Sequence, residues 1–173
     1  MHKLGRISFA RQLAGLLAVA ALVAGVAPSL VHAQSWTFGS TTPSAPGVWS
    51  AERGTLTPGD GEARLQPDAN RRVVLLSPPG LPDSVRIAEK FVVQVAGSGL
   101  QRVRIQARRD ARGGWITIAD ASGSAMLSTA AGYVIKRKPG ARDGHIERLR
   151  IELEFRTTNP RELKRIAVVP PKR

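Results

Sequence analysis

The stretch 102–108 has the clearest periodicity in this chain, because apolar residues alternate strictly with basic or polar ones. Three apolar residues, beginning with Val103, fall on one face of such an extended segment, and the charged side chains fall on the other. A polar turn follows at 110–114 and leads directly into the apolar segment 115–119. This pattern predicts a β-hairpin with one face in a core and one face in water.

Short apolar runs recur along the rest of the chain and are separated by turn residues. The predicted strands outside the hairpin are 62–65, 72–76, 85–95, 133–135, 148–156 and 163–169. Helical signals are few: residues 81–90 can begin as a helix, whereas 159–162 is typical of a turn. About eight short strands at regular spacing predict an all-β fold, an antiparallel β-sandwich or barrel.

The first 33 residues are typical of a secretory signal peptide. Three cations precede an apolar run, Leu13 to Val26, and the sequence 31–33 offers small residues where signal peptidase cleaves. An uncleaved membrane anchor is the competing interpretation, but this run has 14 residues, and a membrane span needs roughly 20. We therefore expect export to the periplasm or the cell exterior, with cleavage near Gln34 and no membrane span afterwards.

The segment after the predicted signal has two parts. Ser, Thr, Pro and Gly dominate residues 34–48, which favours an extended segment or an initial edge strand. The mature chain, 34–173, has the size of one ordinary domain. We therefore predict a single β-sandwich domain over residues 49–173.

Charge and cysteine content restrict the partners. Of the 26 Lys and Arg residues, 23 follow residue 33 together with all 13 acidic residues, so the predicted mature chain carries a charge of +10. Such a charge attracts anionic polymers and surfaces. Outside the cytoplasm these are acidic polysaccharides, lipid phosphates and membrane headgroups, so nucleic acid is not the expected partner. The chain has no cysteine, which excludes disulfides, thiol catalysis and thiolate metal sites.

The hairpin segment 103–119, with Gly113-Gly114-Trp115 at its turn, resembles the galactose-binding-like jelly rolls. This class includes discoidin-type domains and many carbohydrate-binding modules. Segments 146–153 and 163–168 are similar to its last two strands, and the resemblance covers most of 49–169. It implies an eight-stranded jelly roll whose loops at one end bind sugars, lipid headgroups or protein.

Catalytic constellations are scarce. His145 is the only histidine after residue 33, and it lies in a predicted turn. One histidine in a turn does not indicate a Ser-His-Asp triad, and one histidine without cysteine cannot supply the three or four ligands of a zinc site. Glu152 and Glu154 share a strand face, and Asp110 and Asp120 flank the second strand of the predicted hairpin, so paired carboxylates are the remaining route to hydrolysis. The arginines around Glu152 and Glu154 favour cross-strand ion pairs instead.

A structural calcium site would need oxygen ligands in a suitable loop. Asp60 and Glu62 flank Gly61 and offer carboxylates. Asp-Gly also occurs in hairpin turns for backbone reasons alone, and this interpretation is the simpler one. We expect no metal site, no cofactor and no catalytic residue.

Cations and aromatic side chains carry the binding hypothesis. The predicted ligand-binding residues are Arg108, Arg109, Arg112, Trp115, Tyr133, Lys136, Arg137 and Lys138. Arg102 and Arg104 share the strand face of Arg108, so the cations form a predicted polyanion footprint. Trp115 opens a strand after two glycines, where a Trp usually packs over the core edge, and we expect Trp115→Ala to cost about 3 kcal/mol of stability.

These observations predict an exported, non-catalytic protein that binds an anionic glycan or another polyanion of the cell envelope. The alternative is an envelope accessory or assembly protein that docks on a protein partner, for which a β-sandwich offers exposed strand edges. A hydrolase ranks third, because none of the carboxylates has the sequence surroundings that would keep it protonated.

Overall fold

The computed structural model describes residues 35–37, 48–59, 62–141 and 144–171. The predicted signal peptide and most of the predicted extended segment lie outside these residues. Within the described ranges, no helix has the length and apolar character needed to cross a membrane.

The regular secondary structure of the described residues consists almost entirely of β-strands. They are β1 (Ser35–Thr37), β2 (Ser50–Arg53), β3 (Thr55–Pro58), β4 (Ala63–Gln66), β5 (Arg72–Leu76), β6 (Lys90–Val95), β7 (Leu100–Arg108), β8 (Ile116–Ser122), β9 (Leu127–Thr129), β10 (Gly132–Lys136), β11 (Arg148–Phe155) and β12 (Arg161–Val169). One short helix, α1 (Asp83–Arg86), and one 3-10 turn, Gly123–Ala125, complete the regular structure of these residues.

The strands form two antiparallel sheets. The first sheet has the order β3-β4-β12-β6-β10-β9, with β1 paired to β12, and the second has the order β2-β5-β11-β7-β8. The prediction of an antiparallel all-β sandwich is confirmed. The described residues hold more strands than the eight expected, because β2, β3 and β9 have only three or four residues, too few to show an alternating pattern.

The core lies between the two sheets, where alternate residues of each strand are buried. On β11 the inward residues are Leu149, Ile151, Leu153 and Phe155, all fully buried. The predicted hairpin is β7 and β8, which pair antiparallel with Ile105 opposite Ala119. Since inward and outward residues alternate, the charged residues of β7 and β11 face away from the core.

One segment beside the first sheet differs from its sequence pattern. The segment 85–95 is not one strand: α1 ends at Arg86 and β6 begins only at Lys90. Pro82 precedes the helix with an extended backbone, and proline is favoured where a helix begins. Trp49, which directly precedes β2, is a core residue whose ring packs edge-on against Trp36 at a centroid distance of 5.4 Å.

Candidate functional site

The outer face of the second sheet carries a row of arginines. On β5, β7 and β11 they are Arg72, Arg102, Arg104, Arg108, Arg148 and Arg150. Four of them form ion pairs with carboxylates in the described structure, namely Arg72 with Glu152, Arg102 with Asp120, Arg104 with both of these acids and Arg150 with Glu52. Most of this face is therefore a lattice of compensated charges.

The tightest of these pairs joins Arg102 to Asp120. Arg102 donates from Nε to Oδ1 at 2.9 Å and from Nη2 to Oδ2 at 2.8 Å. The pKa of Asp120 lies below its ordinary value, chiefly because its carboxylate accepts these hydrogen bonds, and the pKa of Arg102 is raised by the same contact. Arg104 lies 3.5 Å from Asp120 as well. Arg102 and Arg104 are thus engaged with acids, which removes them from the predicted polyanion footprint.

Acid should weaken this pair in a predictable direction. Because the pKa of Asp120 is lowered by folding, its contribution is present above the pKa of an unfolded aspartate and is lost as the pH falls through the folded pKa. We expect Asp120→Asn to cost about 1 kcal/mol at neutral pH, since the pair is partly solvent-exposed. Urea unfolding at several pH values should show the two proteins converging in acid, and a constant difference would contradict this.

Arg108 and Arg148 lie directly opposite each other on neighbouring strands β7 and β11. Like charges in this position repel and destabilise a sheet. Arg148 donates from Nε to the Ser77 carbonyl at 2.9 Å, and neither arginine forms an ion pair with a described carboxylate. We call these two residues the arginine pair, and an anion between them would relieve the repulsion.

Trp115 holds one member of the arginine pair in place. The guanidinium carbon of Arg108 lies 5.1 Å from the centroid of the Trp115 ring, within the range of a cation–π contact. Trp115 is half-buried and directly precedes β8. The described ring contact of Trp115 is thus with an arginine on the outer face, which differs from the expected packing over the core edge.

The stability cost of Trp115→Ala should accordingly be small. We expect about 1 kcal/mol, the size of a partly exposed cation–π contact with its packing. Polyanion binding should weaken as well, because Arg108 loses the ring that restricts it. Thermal melts and affinity measurements on the same variant test both, with Tyr133→Ala as a comparison that removes an aromatic packed against the core. A stability loss of about 3 kcal/mol in Trp115→Ala would restore the core-edge interpretation.

Three more of the predicted cations surround this region. Arg109 is exposed and packs over Gly144, where an added Cβ would lie 3.2 Å from the arginine Nε. Arg112 is exposed in the hairpin turn, and its N–H donates to Asp110. The exposed Lys138 donates its N–H to the Ile118 carbonyl at 2.8 Å, which fixes it beside β8. The basic end of the molecule comprises Arg108, Arg109, Arg112, Trp115, Lys138 and Arg148.

Tyr133 and Lys136 lie elsewhere. Lys136 is exposed on the first sheet, where it pairs with Lys90. Tyr133 packs partly against the core and lines a pocket with Leu100, at the far end of β7 from Arg108. Eight residues of strand separate these two ends, a distance of about 26 Å. The structure therefore does not bring the predicted aromatic residues together.

Arg137 is buried, with 9% of its surface exposed. Its Nη1 donates to the carbonyls of Val85, Arg86 and Ala88 at 3.0, 2.7 and 3.3 Å, and its other nitrogens donate to Ala141. The guanidinium thus ties β10 to the segment around α1. The prediction that Arg137 binds a ligand does not fit this geometry, because its hydrogen-bonding groups are occupied by the backbone.

Glu152 and His145, two of the candidate catalytic residues, contact oppositely charged or ionisable side chains. Glu152 lies between Arg72 and Arg104, which confirms the predicted cross-strand ion pairs for this residue. His145 is largely exposed, and its Nε2 lies 3.5 Å from Glu147. Within the described ranges, no three His, Cys, Asp or Glu residues are grouped so that they would hold a metal ion. Asp60 of the considered calcium turn lies outside the described residues.

Arg148 is the site residue that sequence patterns did not single out. It was one of several arginines alternating along β11, with nothing in the local sequence to separate it from Arg150. The difference between them is the register: Arg148 faces Arg108, whereas Arg150 faces Gln106 and bonds it at 2.7 Å. A register between strands 40 residues apart has no local sequence signal.

Comparison with solved structures supports the fold. No protein-family model matches the chain, and no curated protein matches it. A low-affinity xylan-binding module, CBM86, from Roseburia intestinalis superimposes with a TM-score of 0.52 at 14% identity, covering 81% of this chain and 96% of the module. A variant of the family 29 carbohydrate-binding module CBM29-2 gives a TM-score of 0.48 at 12% identity, covering 80% and 91%. The chain therefore shares its β-sandwich fold with the xylan-binding module, which agrees with the fold that the sequence resemblance implied.

Proposed function

We propose that this protein is an exported, non-catalytic binding protein whose basic end binds an acidic glycan. The observation that carries the proposal is the arginine pair. Arg108 and Arg148 face each other with no described acid between them, on a sheet face where the other arginines of β5, β7 and β11 all have carboxylate partners. Two arginines at opposed positions of neighbouring strands, neither with a described carboxylate partner, suit a carboxylate or sulfate group.

The remaining support comes from charge, fold and the N-terminal sequence. A mature charge of +10 favours an anionic polymer. The fold is shared with a protein described as a xylan-binding module, and glycan binding through this fold is the part of the proposal that rests on analogy. The predicted signal peptide at residues 1–33 supports export.

The basic end suits a polymer better than a small molecule. Arg109, Arg112 and Lys138 are exposed side chains beside the arginine pair, and each exposed contact contributes about 1 kcal/mol or less. A ligand with several anionic groups engages them together, so the weak contacts add up. Such a surface provides attraction and orientation without acid–base chemistry.

The experiment is affinity chromatography of the mature protein on immobilised heparin and on polygalacturonate, over a salt series. We expect retention on at least one resin that falls steeply with salt, because ions screen exposed contacts. Arg148→Gln should elute at clearly lower salt than wild type. Lys136→Gln is the matched control, since it removes one positive charge from the other sheet.

Equal losses for Arg148→Gln and Lys136→Gln would show that net charge alone drives retention, and the assignment of the basic end would fail. Retention that ignores salt, or no retention at low salt, would overturn the proposal as a whole. In that case crosslinking in intact cells would test the alternative, a protein partner in the envelope.

A further inference from the structure

A concave surface lies at the end of the sandwich opposite the basic end. It has a volume of 350 Å³ and is lined by Leu100, Gln101, Gly123, Met126, Tyr133 and Arg156. Leu100 belongs to the second sheet and Tyr133 to the first, so the pocket opens between the two sheets. We call it the end pocket. None of its residues contributes to the basic end.

The lining of the end pocket divides into an apolar part and a polar part. Leu100 and Met126 are buried and form an apolar wall with the half-buried ring of Tyr133. Gln101 and Arg156 are exposed and supply an amide and a guanidinium group. A Cβ built on Gly123 would have no neighbour within 4 Å, so this side of the pocket is open. Small-molecule sites combine apolar walls and a few polar groups in this way.

The charge around the end pocket is positive. Arg71 donates from Nη1 to the Arg156 carbonyl at 3.5 Å. Arg156 and Arg161 flank Gly99, where an added Cβ would lie 3.8 Å from the Arg156 Cβ and 3.5 Å from the Arg161 Nη2. None of these three arginines forms an ion pair within the described part of the chain. The pocket therefore favours a ligand that carries a negative charge.

We propose that the end pocket binds one acidic pyranose, which makes this protein a two-site glycan binder. The proposal rests on the proposed function, since it assumes a glycan ligand. The C–H face of the sugar ring packs on Tyr133 and Met126, its carboxylate pairs with Arg156, and a hydroxyl bonds Gln101. The volume of 350 Å³ lies near the lower limit of small-molecule pockets, about 300 Å³, and so suits one or two rings rather than a long chain.

The experiment is a titration of isotopically labelled mature protein with glucuronate, in which NMR chemical shifts are measured at each ligand concentration. Glucose and acetate are titrated separately, because they carry the ring alone and the carboxylate alone. We expect glucuronate to shift Gly123, Met126 and Tyr133 saturably, with little change at Trp115. Arg156→Gln should weaken this binding about tenfold, the effect of losing one charge-assisted contact. Lys136→Gln, which removes one positive charge outside both the end pocket and the basic end, is the matched control and should leave it unchanged.

Several outcomes would overturn the end pocket. If glucose causes the same shifts as glucuronate, the carboxylate is not recognised and Arg156 has no role in binding. If acetate causes the same shifts as glucuronate, the pocket makes only an unspecific contact with anions. Shifts confined to Arg108, Trp115 and Arg148 would place the sugar at the basic end alone and leave the proposed function intact. Conversely, shifts at the end pocket in a protein that no polyanion resin retains would support this site and remove the basic end.

Discussion

Replacing Arg137 by alanine is expected to lower the free energy of unfolding by about 3 kcal/mol. The substitution removes a buried guanidinium that donates to the carbonyls of Val85, Arg86, Ala88 and Ala141. These acceptors would remain in a partly buried environment without their donor, and an unsatisfied buried polar group is costly. The connection between β10 and the segment around α1 should loosen at the same time.

Urea unfolding measures this effect, and Lys138→Ala is the matched control. Lys138 is the next residue and has the same formal charge, but its side chain is exposed, so its loss should change stability by no more than about 0.5 kcal/mol. Polyanion affinity should not follow stability in this comparison. The folded fraction of Arg137→Ala should bind the polyanion nearly as tightly as wild type does. A fully stable Arg137→Ala that binds weakly would instead return Arg137 to the ligand-binding residues.

The double substitution Arg108→Gln and Arg148→Gln is expected to lower polyanion affinity about hundredfold, roughly tenfold for each charge-assisted contact. The stability of the free protein should change by no more than about 1 kcal/mol, because the lost repulsion between the two opposed arginines offsets the lost Trp115 contact of Arg108 and the lost Ser77 hydrogen bond of Arg148. A large loss of binding with little change in stability is the signature of a functional surface rather than a structural one.

A matched double variant keeps this prediction falsifiable. Lys136→Gln with Lys90→Gln also removes two opposed positive charges in register, but from the first sheet. It should relieve similar repulsion and leave most of the affinity intact. If both double variants lose affinity equally, the total charge decides binding. If the arginine pair variant is destabilised by more than about 1 kcal/mol, the pair has a structural role that its contacts do not reveal.

Alternation of residues determined much of the fold from the sequence alone. The strand 72–76 coincides with β5, and the pattern at 102–108 identified nearly all of β7. These strands have one face in the core and one in water, so the physical cause of the pattern, burial of every second residue, is strong and local. The single strand predicted over 85–95 is wrong, because this segment has a continuous apolar run instead of an alternating pattern. Such a run does not distinguish the helix around Val85 from the strand after it.

The sequence also determined which residue types were available for a site, but not how they are grouped. Lys136, Arg137 and Lys138 are three consecutive cations, yet the strand geometry turns the middle one inwards and leaves the outer two exposed. Only the tertiary structure supplies the backbone carbonyls that accept the hydrogen bonds of Arg137. The local sequence does not distinguish a buried guanidinium from an exposed one when the hydrogen-bond partners lie far away in the chain.

Strand register decided the candidate site in the same way. Arg102, Arg104 and Arg108 are equivalent by sequence, but Asp120 reaches the first two, whereas Arg108 faces Arg148. Pairing between β7 and β11 brings together residues 40 positions apart, and such a pairing is set by the packing of the whole sandwich rather than by neighbours in the chain. Composition therefore predicted a cationic protein, and only the tertiary structure separated its compensated arginines from the two that remain opposed.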